Sequence, residues 1–161
     1  MRIAVATIAL VATLGVACAD LTLVKDGQPA AAIVLQAKPS AAAQLAAVKV
    51  QTVLEKMSGA KLPLVQDPTP VPAGLVPIKL ISGAVNGQDA GFPPKMAPEE
   101  LRLKAGEGGL TLMGCDWAAT GSDLQGTLWA ALELLERLGC RWLWPGELGE
   151  VAGPEAGLHR F

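Results

Sequence analysis

Beyond residue 20 the chain alternates between short apolar runs and two stretches of helical period. Leu21–Lys25 and Ala30–Leu35 flank Asp26-Gly27. Asp-Gly between two strands favours a type I′ turn, because both residues tolerate positive φ, so the two runs are predicted to form a hairpin. After Pro39-Ser40, the residues Ala46, Val50, Val53, Leu54 and Met57 recur on one helical face, with Gln44, Lys49, Gln51 and Glu55 off it. This period predicts an amphipathic helix packed on a sheet, with Ser40 as N-cap and Ser58-Gly59 as its end.

Leu62–Val65 is a brief apolar run, and Pro68, Pro70, Pro72 and Pro77 follow it. No sheet interior accommodates so many missing N–H donors, so these prolines are assigned to a surface loop. Ile78–Ile81 is a buried strand, and Ala84–Pro98 is irregular. Leu101 and Leu103 alternate with Arg102 and Lys104, Gly106–Gly109 supplies a turn, and Leu110–Gly114 returns. The alternation buries one face and wets the other. Ser122 and Gln125 match a capping box ahead of the stripe Leu124, Leu128, Ala131, Leu132, Leu135 and Leu138, which Gly139 stops. Trp129, beside that stripe, is expected in the core, and Glu133 can pair with Arg137 on the outer face. Arg141–Trp144 is the last strand. The predicted order is β-β-α-β-β-β-β-α-β, an α+β fold in which a mixed β-sheet carries two helices packed on one face. The other face is neither evidently polar nor evidently covered.

Length and composition narrow the setting. The 161 residues allow one domain plus a leader, and a net charge of −2 with 17% charged residues points to neither nucleic acid nor an anionic membrane surface. Arg2 precedes the unbroken apolar run Ile3–Val16, and Ala17-Cys18-Ala19 fits a small-x-small cleavage site. Residues 1–19 therefore read as a signal peptide cleaved before Asp20, which places the domain in the periplasm or outside the cell. The rival is a lipoprotein signal modified at Cys18, which would tether the domain to a membrane; Gly15 stands where such signals favour leucine. Cys115 and Cys140 could form one disulfide in an exported protein, but both lie beside apolar strands and read better as small buried hydrophobes.

Candidate chemistry is sparse. Glycoside hydrolysis needs two carboxyls facing one sugar. Asp116 and Asp123 flank the entry to the second helix, where an acid is favoured by the helix N-terminus without any catalysis. Glu147 and Glu150 lie in a Gly-rich tail and are expected to be exposed or engaged with a following domain, while Glu99-Glu100 reads as solvated. His159 is the single histidine, near the C-terminus, so no Ser-His-Asp or Cys-His arrangement can be built. No catalytic, cofactor-binding or metal-ligating residue is assigned. Trp142 and Trp144, two apart on one strand, share a face. They are the candidates for a domain interface or, as the alternative, for carbohydrate contact, with the interface favoured because no tyrosine extends a sugar platform.

Five segments in register carry a family resemblance. They are Leu23–Ile33, Ala42–Leu62 ending in LEKMSGAKL, Ile78–Gly83, Leu101–Gly114 and, most closely, Gly126–Glu147 reading GTLWAALELLERLGCRWLWPGE. Together they resemble the N-terminal domain of α-glucuronidase-like glycoside hydrolases and its β-hexosaminidase domain 2-like relatives. The resemblance covers about Leu21 to Gly153. Trp117–Asp123 looks inserted relative to that pattern, and Trp129 stands where relatives carry tyrosine. In that family a catalytic barrel follows and holds the catalytic carboxylates, none of which has a counterpart position here. The resemblance thus implies a non-catalytic accessory domain over residues 20–153, with 154–161 starting a linker to a C-terminal catalytic barrel that acts in the breakdown of a polysaccharide such as glucuronoxylan. The alternative is a freestanding exported carbohydrate-binding or interaction module.

Overall fold

The computed structural model describes residues 21–84, 96–106, 108–117, 124–143 and 149–151. In chain order the elements are β1 (Val24–Lys25), β2 (Gln28–Pro29), β3 (Ala31–Leu35), α1 (Ala41–Ser58), β4 (Leu64–Gln66), β5 (Val76–Ala84), β6 (Leu101–Gly106), β7 (Gly109–Trp117), α2 (Gly126–Arg137), β8 (Arg141–Trp142) and β9 (Glu150–Val151). Five strands form one mixed sheet in the order β4-β3-β5-β7-β6. The first four run parallel and β6 closes the edge antiparallel to β7. Both helices pack side by side on one face, as the apolar pattern requires.

The core lies between that face and the helices. Ile33, Ile78, Leu80, Leu110 and Leu112 point up from the sheet, and Val50, Val53, Leu54, Leu134 and Leu135 come down from the helices, all fully buried. Each such side chain stabilises the fold by about 2 kcal/mol. The opposite face is mixed. Register places Val34, Lys79, Thr111 and Lys104 in one row across it, and a small cluster of Met96, Met113 and Cys115, flanked by Ile81 and Leu124, covers its other end.

The turn at Asp26-Gly27 has positive φ at both residues, 51° and 70°, as a type I′ turn demands. Its return strand is β2, however, not Ala30–Leu35; the chain pairs for two residues and then leaves as β3 to join the central sheet. All five β3 side chains are buried, so the parallel sheet offers them more burial than the hairpin could. Pro77 likewise moves from the expected loop into β5. Val76 N–H bonds the carbonyl of Ala30, just ahead of β3, so Pro77 faces β7, whose pairing starts one residue later at Ile78. Its missing donor costs the ladder nothing there.

Helix α1 follows its sequence signals. Ser40 Oγ accepts from Ala43 N–H at 2.9 Å, and Gly59, at φ 74°, closes the end by donating to the Glu55 carbonyl. Helix α2 departs from them. It begins at Gly126 with Gln125 at the N-cap, making no side-chain cap bond, while Ser122 lies outside the described residues. Its buried face is Ala130, Ala131, Leu134, Leu135 and Leu138; Leu128 and Leu132 are only half-buried, and Trp129 is 41% exposed rather than in the core. The two helices are in contact, and each buries alanines in the shared core, Ala130 and Ala131 on α2 and Ala43, Ala46 and Ala47 on α1; small side chains let two helices lie close on one sheet. The Glu133–Arg137 pair forms as expected.

Candidate functional site

Four polar residues are buried among those described, and all four meet where the parallel strands end. They are Ser40 after β3, Ser82 near the end of β5, Asp116 at the end of β7 and Thr127 in the first turn of α2. Asp116 Oδ1 accepts from Thr127 N–H at 2.7 Å; its Oδ2 accepts from Thr127 Oγ1 at 2.7 Å and, in a short contact, from Ser40 Oγ. Ser40 N–H reaches Ser82 Oγ, and the Gln36 side-chain carbonyl accepts from both N–H and Oγ of Ser82. One carboxyl therefore ties both helix N-termini to the sheet, and it caps α2 from a neighbouring strand, while Gln125 at the N-cap makes no side-chain cap bond.

Glycine makes this possible. A Cβ on Gly114 would lie 1.8 Å from the Thr127 nitrogen, and one on Gly126 would lie 2.4 Å from the Cys115 nitrogen. The strand and the helix start thus touch backbone to backbone. Burial pushes the Asp116 carboxyl above its ordinary range, against the hydrogen bonds from Ser40 and Thr127, which favour the charged form. At 1% exposure and with its oxygens filled, this group has no route to a substrate. It is a structural joint, in keeping with the expectation that Asp116 serves the helix N-terminus.

A second constellation lies on the outer side of the helices. Gly139, at φ 99°, and the bond from Cys140 N–H to the Leu135 carbonyl turn the chain straight back along α2, so Trp142 of β8 packs against the main core. Its ring, with Leu45, Lys49, Leu128 and Leu132, lines an apolar groove of about 350 Å³ between the helices. Lys49 Nζ sits 5.8 Å from the ring centroid, within cation–π range. Trp142 Nε1 donates to Glu150 Oε2 at 3.3 Å, Lys56 Nζ meets Glu150 Oε1 at 2.9 Å, and Lys49 Nζ makes a short contact to Oε2.

Glu150 is thus a correction. Its side chain is 4% exposed and engaged within this domain, not solvated in a tail or given to a following one. Burial alone would raise its pKa, but the Lys49, Lys56 and Trp142 hydrogen bonds and the Lys49 charge outweigh it and bring the value down to about 2. Residues 149–151 return antiparallel to β8, pairing Trp142 with Glu150, so the chain does not simply lead away after the tryptophan strand. Trp144, Asp123, Glu147, His159 and Cys18 lie outside the described residues. Leu143, in contrast to Trp142, is exposed.

Glu100 accepts from Arg102 and from Ala97 N–H, and Glu99 beside it is exposed. Cys115 and Cys140 are buried free thiols, each raised in pKa chiefly by burial. Among the described residues no group of three His, Cys, Asp or Glu side chains could hold a metal ion. Sequence reasoning missed the Lys49–Glu150–Lys56 cluster, because Glu150 lies about a hundred positions from both lysines and nothing local links it to them. It also missed the part played by Ser82 and Gln36. The run Gly114-Cys115-Asp116 ahead of Gly126-Thr127 held a readable signal: small residues at both ends of a strand-to-helix join, with an acid beside them. Compared with known proteins, the chain matches no family model and no curated protein.

Proposed function

We propose that this chain is the non-catalytic accessory domain of an exported, α-glucuronidase-like glycoside hydrolase, and that its helix layer docks on the catalytic barrel. The groove around Trp142 is the observation that carries this reading. It is apolar and open, and Leu45 in its wall is more than half exposed. Its aromatic wall is fixed on three sides, by the core, by Lys49 and by Glu150, which suits a rigid anchor better than an adaptable sugar platform. The two described carboxyls that sequence reasoning entertained for catalysis, Asp116 and Glu150, are both committed to internal partners. No described helix is long and apolar enough to cross a membrane.

Export, cleavage before Asp20 and a role in polysaccharide breakdown belong to the same proposal; the first two rest on the leader pattern of residues 1–19 and the last on the sequence resemblance. The genomic DNA past the Phe161 codon tests it. An in-frame barrel or an adjacent barrel gene supports an accessory domain, whereas unrelated neighbours and glycan binding lost in Trp142→Ala would favour the freestanding module.

A further inference from the structure

Two cavities meet at the edge of the sheet where β3 and β5 end. One, of about 440 Å³, is lined by Gln36, Ala37, Lys38, Ser82 and Trp117. The other, of about 480 Å³, shares Gln36 and Ala37 with it and extends over the helix-free face past Lys79 and Ile81 to Asp67. In open sheets of parallel strands, the crevice beyond the carboxyl ends of the strands is the usual place for a ligand. The chemistry of this one is specific. Trp117, the last residue of β7, is 36% exposed and presents an aromatic wall. Gln36 spends its carbonyl oxygen on Ser82, and its amide nitrogen has no partner among the described residues. Lys38, Lys79 and Asp67 are exposed around it.

A phosphate is a poor fit. The helix N-termini that would receive it are already capped by Ser40 and Asp116, so a carboxyl occupies the position an anion would take. An aromatic face beside a free amide donor, an ammonium and a carboxylate instead suits a ring with an apolar face and a hydroxylated rim. We propose that the cleft between Gln36, Lys38 and Trp117 binds a short saccharide, its ring against the indole and its hydroxyls on the Gln36 amide and Lys38. The choice of a saccharide rests partly on the proposed place in glycan breakdown. The cleft lies apart from the Trp142 groove, so binding here and docking there succeed or fail separately.

The test is a two-dimensional ¹H–¹⁵N NMR titration of the full chain with cellotriose, with trigalacturonate and with inorganic phosphate, each to about 10 mM. Either saccharide is expected to shift the Trp117 indole and Gln36 side-chain signals saturably. Trp117→Ala, with dispersion retained, is expected to weaken that binding by about tenfold or more. Lys38→Ala, at an exposed position, serves as a second variant. It should weaken trigalacturonate selectively if the ligand is a uronide, and both sugars alike if the ligand is neutral. No shift with either sugar, shifts confined to the Trp142 groove, or saturable shifts with phosphate alone would overturn the proposal. The titration includes no barrel, so a negative result leaves the docking proposal standing, and a failure of docking leaves this one standing.

Discussion

At the scale of single residues, two buried carboxyls pull stability in opposite directions with pH. Glu150 has its pKa lowered from 4.5 to about 2, so its contribution is present above the unfolded value and is lost as pH falls between the two. Glu150→Gln should flatten that acid arm and cost about 1 kcal/mol near neutrality, since the partner lysines are partly solvent-exposed. Asp116 is the reverse case. Its pKa is raised from 3.8, so its contribution is complete below that value and is lost as pH rises through the shifted one. Asp116→Asn should remove this decline, whereas Asp116→Ala should cost about 3 kcal/mol by orphaning the buried donors of Ser40 and Thr127. Urea unfolding of the wild type and of each variant from about pH 2 to about pH 8, in roughly half-unit steps, reads both arms. A wild-type profile whose slopes survive both substitutions would mean that other groups set the pH dependence.

Between elements, the decisive contact is the backbone meeting of β7 with α2. Gly114→Ala puts a methyl 1.8 Å from the Thr127 nitrogen, with main chain rather than a flexible side chain in the way. The helix start must shift and carry Asp116's bonds with it, so a loss of about 3 kcal/mol or failure to fold is expected. Gly108→Ala, where nothing lies within 4 Å, should stay within about 0.5 kcal/mol and serves as control. Thermal unfolding of the pair decides it; equal midpoints would refute the close approach. The same contact explains what could be read in advance. The α1 stripe, its Ser40 cap and its Gly59 end were legible, because each depends on spacing within one helix. The two-helices-on-one-face arrangement followed from the two apolar stripes. The start of α2 is not legible, because Asp116 of β7 accepts from its first turn, and Trp129 departs from the core expectation because α2 buries Ala130 and Ala131 beside it instead. The fate of Glu150 depended on two lysines of a helix about a hundred residues earlier, a distance over which no periodicity speaks.

For the whole molecule, the helix layer has an apolar outer groove, and the proposed partner is a catalytic barrel. Trp142 is half-buried against the core, so Trp142→Ala should cost about 2–3 kcal/mol of stability and also weaken docking. Leu128→Asp separates the two effects. Leu128 lines the groove at the half-buried edge of α2, and a charge there should obstruct docking while leaving the fully buried core in place. The most direct measurement is a calorimetric titration of this chain with the glycoside hydrolase barrel encoded in frame with it or beside it. Saturable one-to-one binding that Leu128→Asp abolishes, with the chain itself inactive on aryl glycosides and glucuronoxylan fragments, is the expected result. No binding by the folded wild-type chain, or glycoside turnover by the chain alone that survives repurification, would contradict an accessory domain docked through its helix layer.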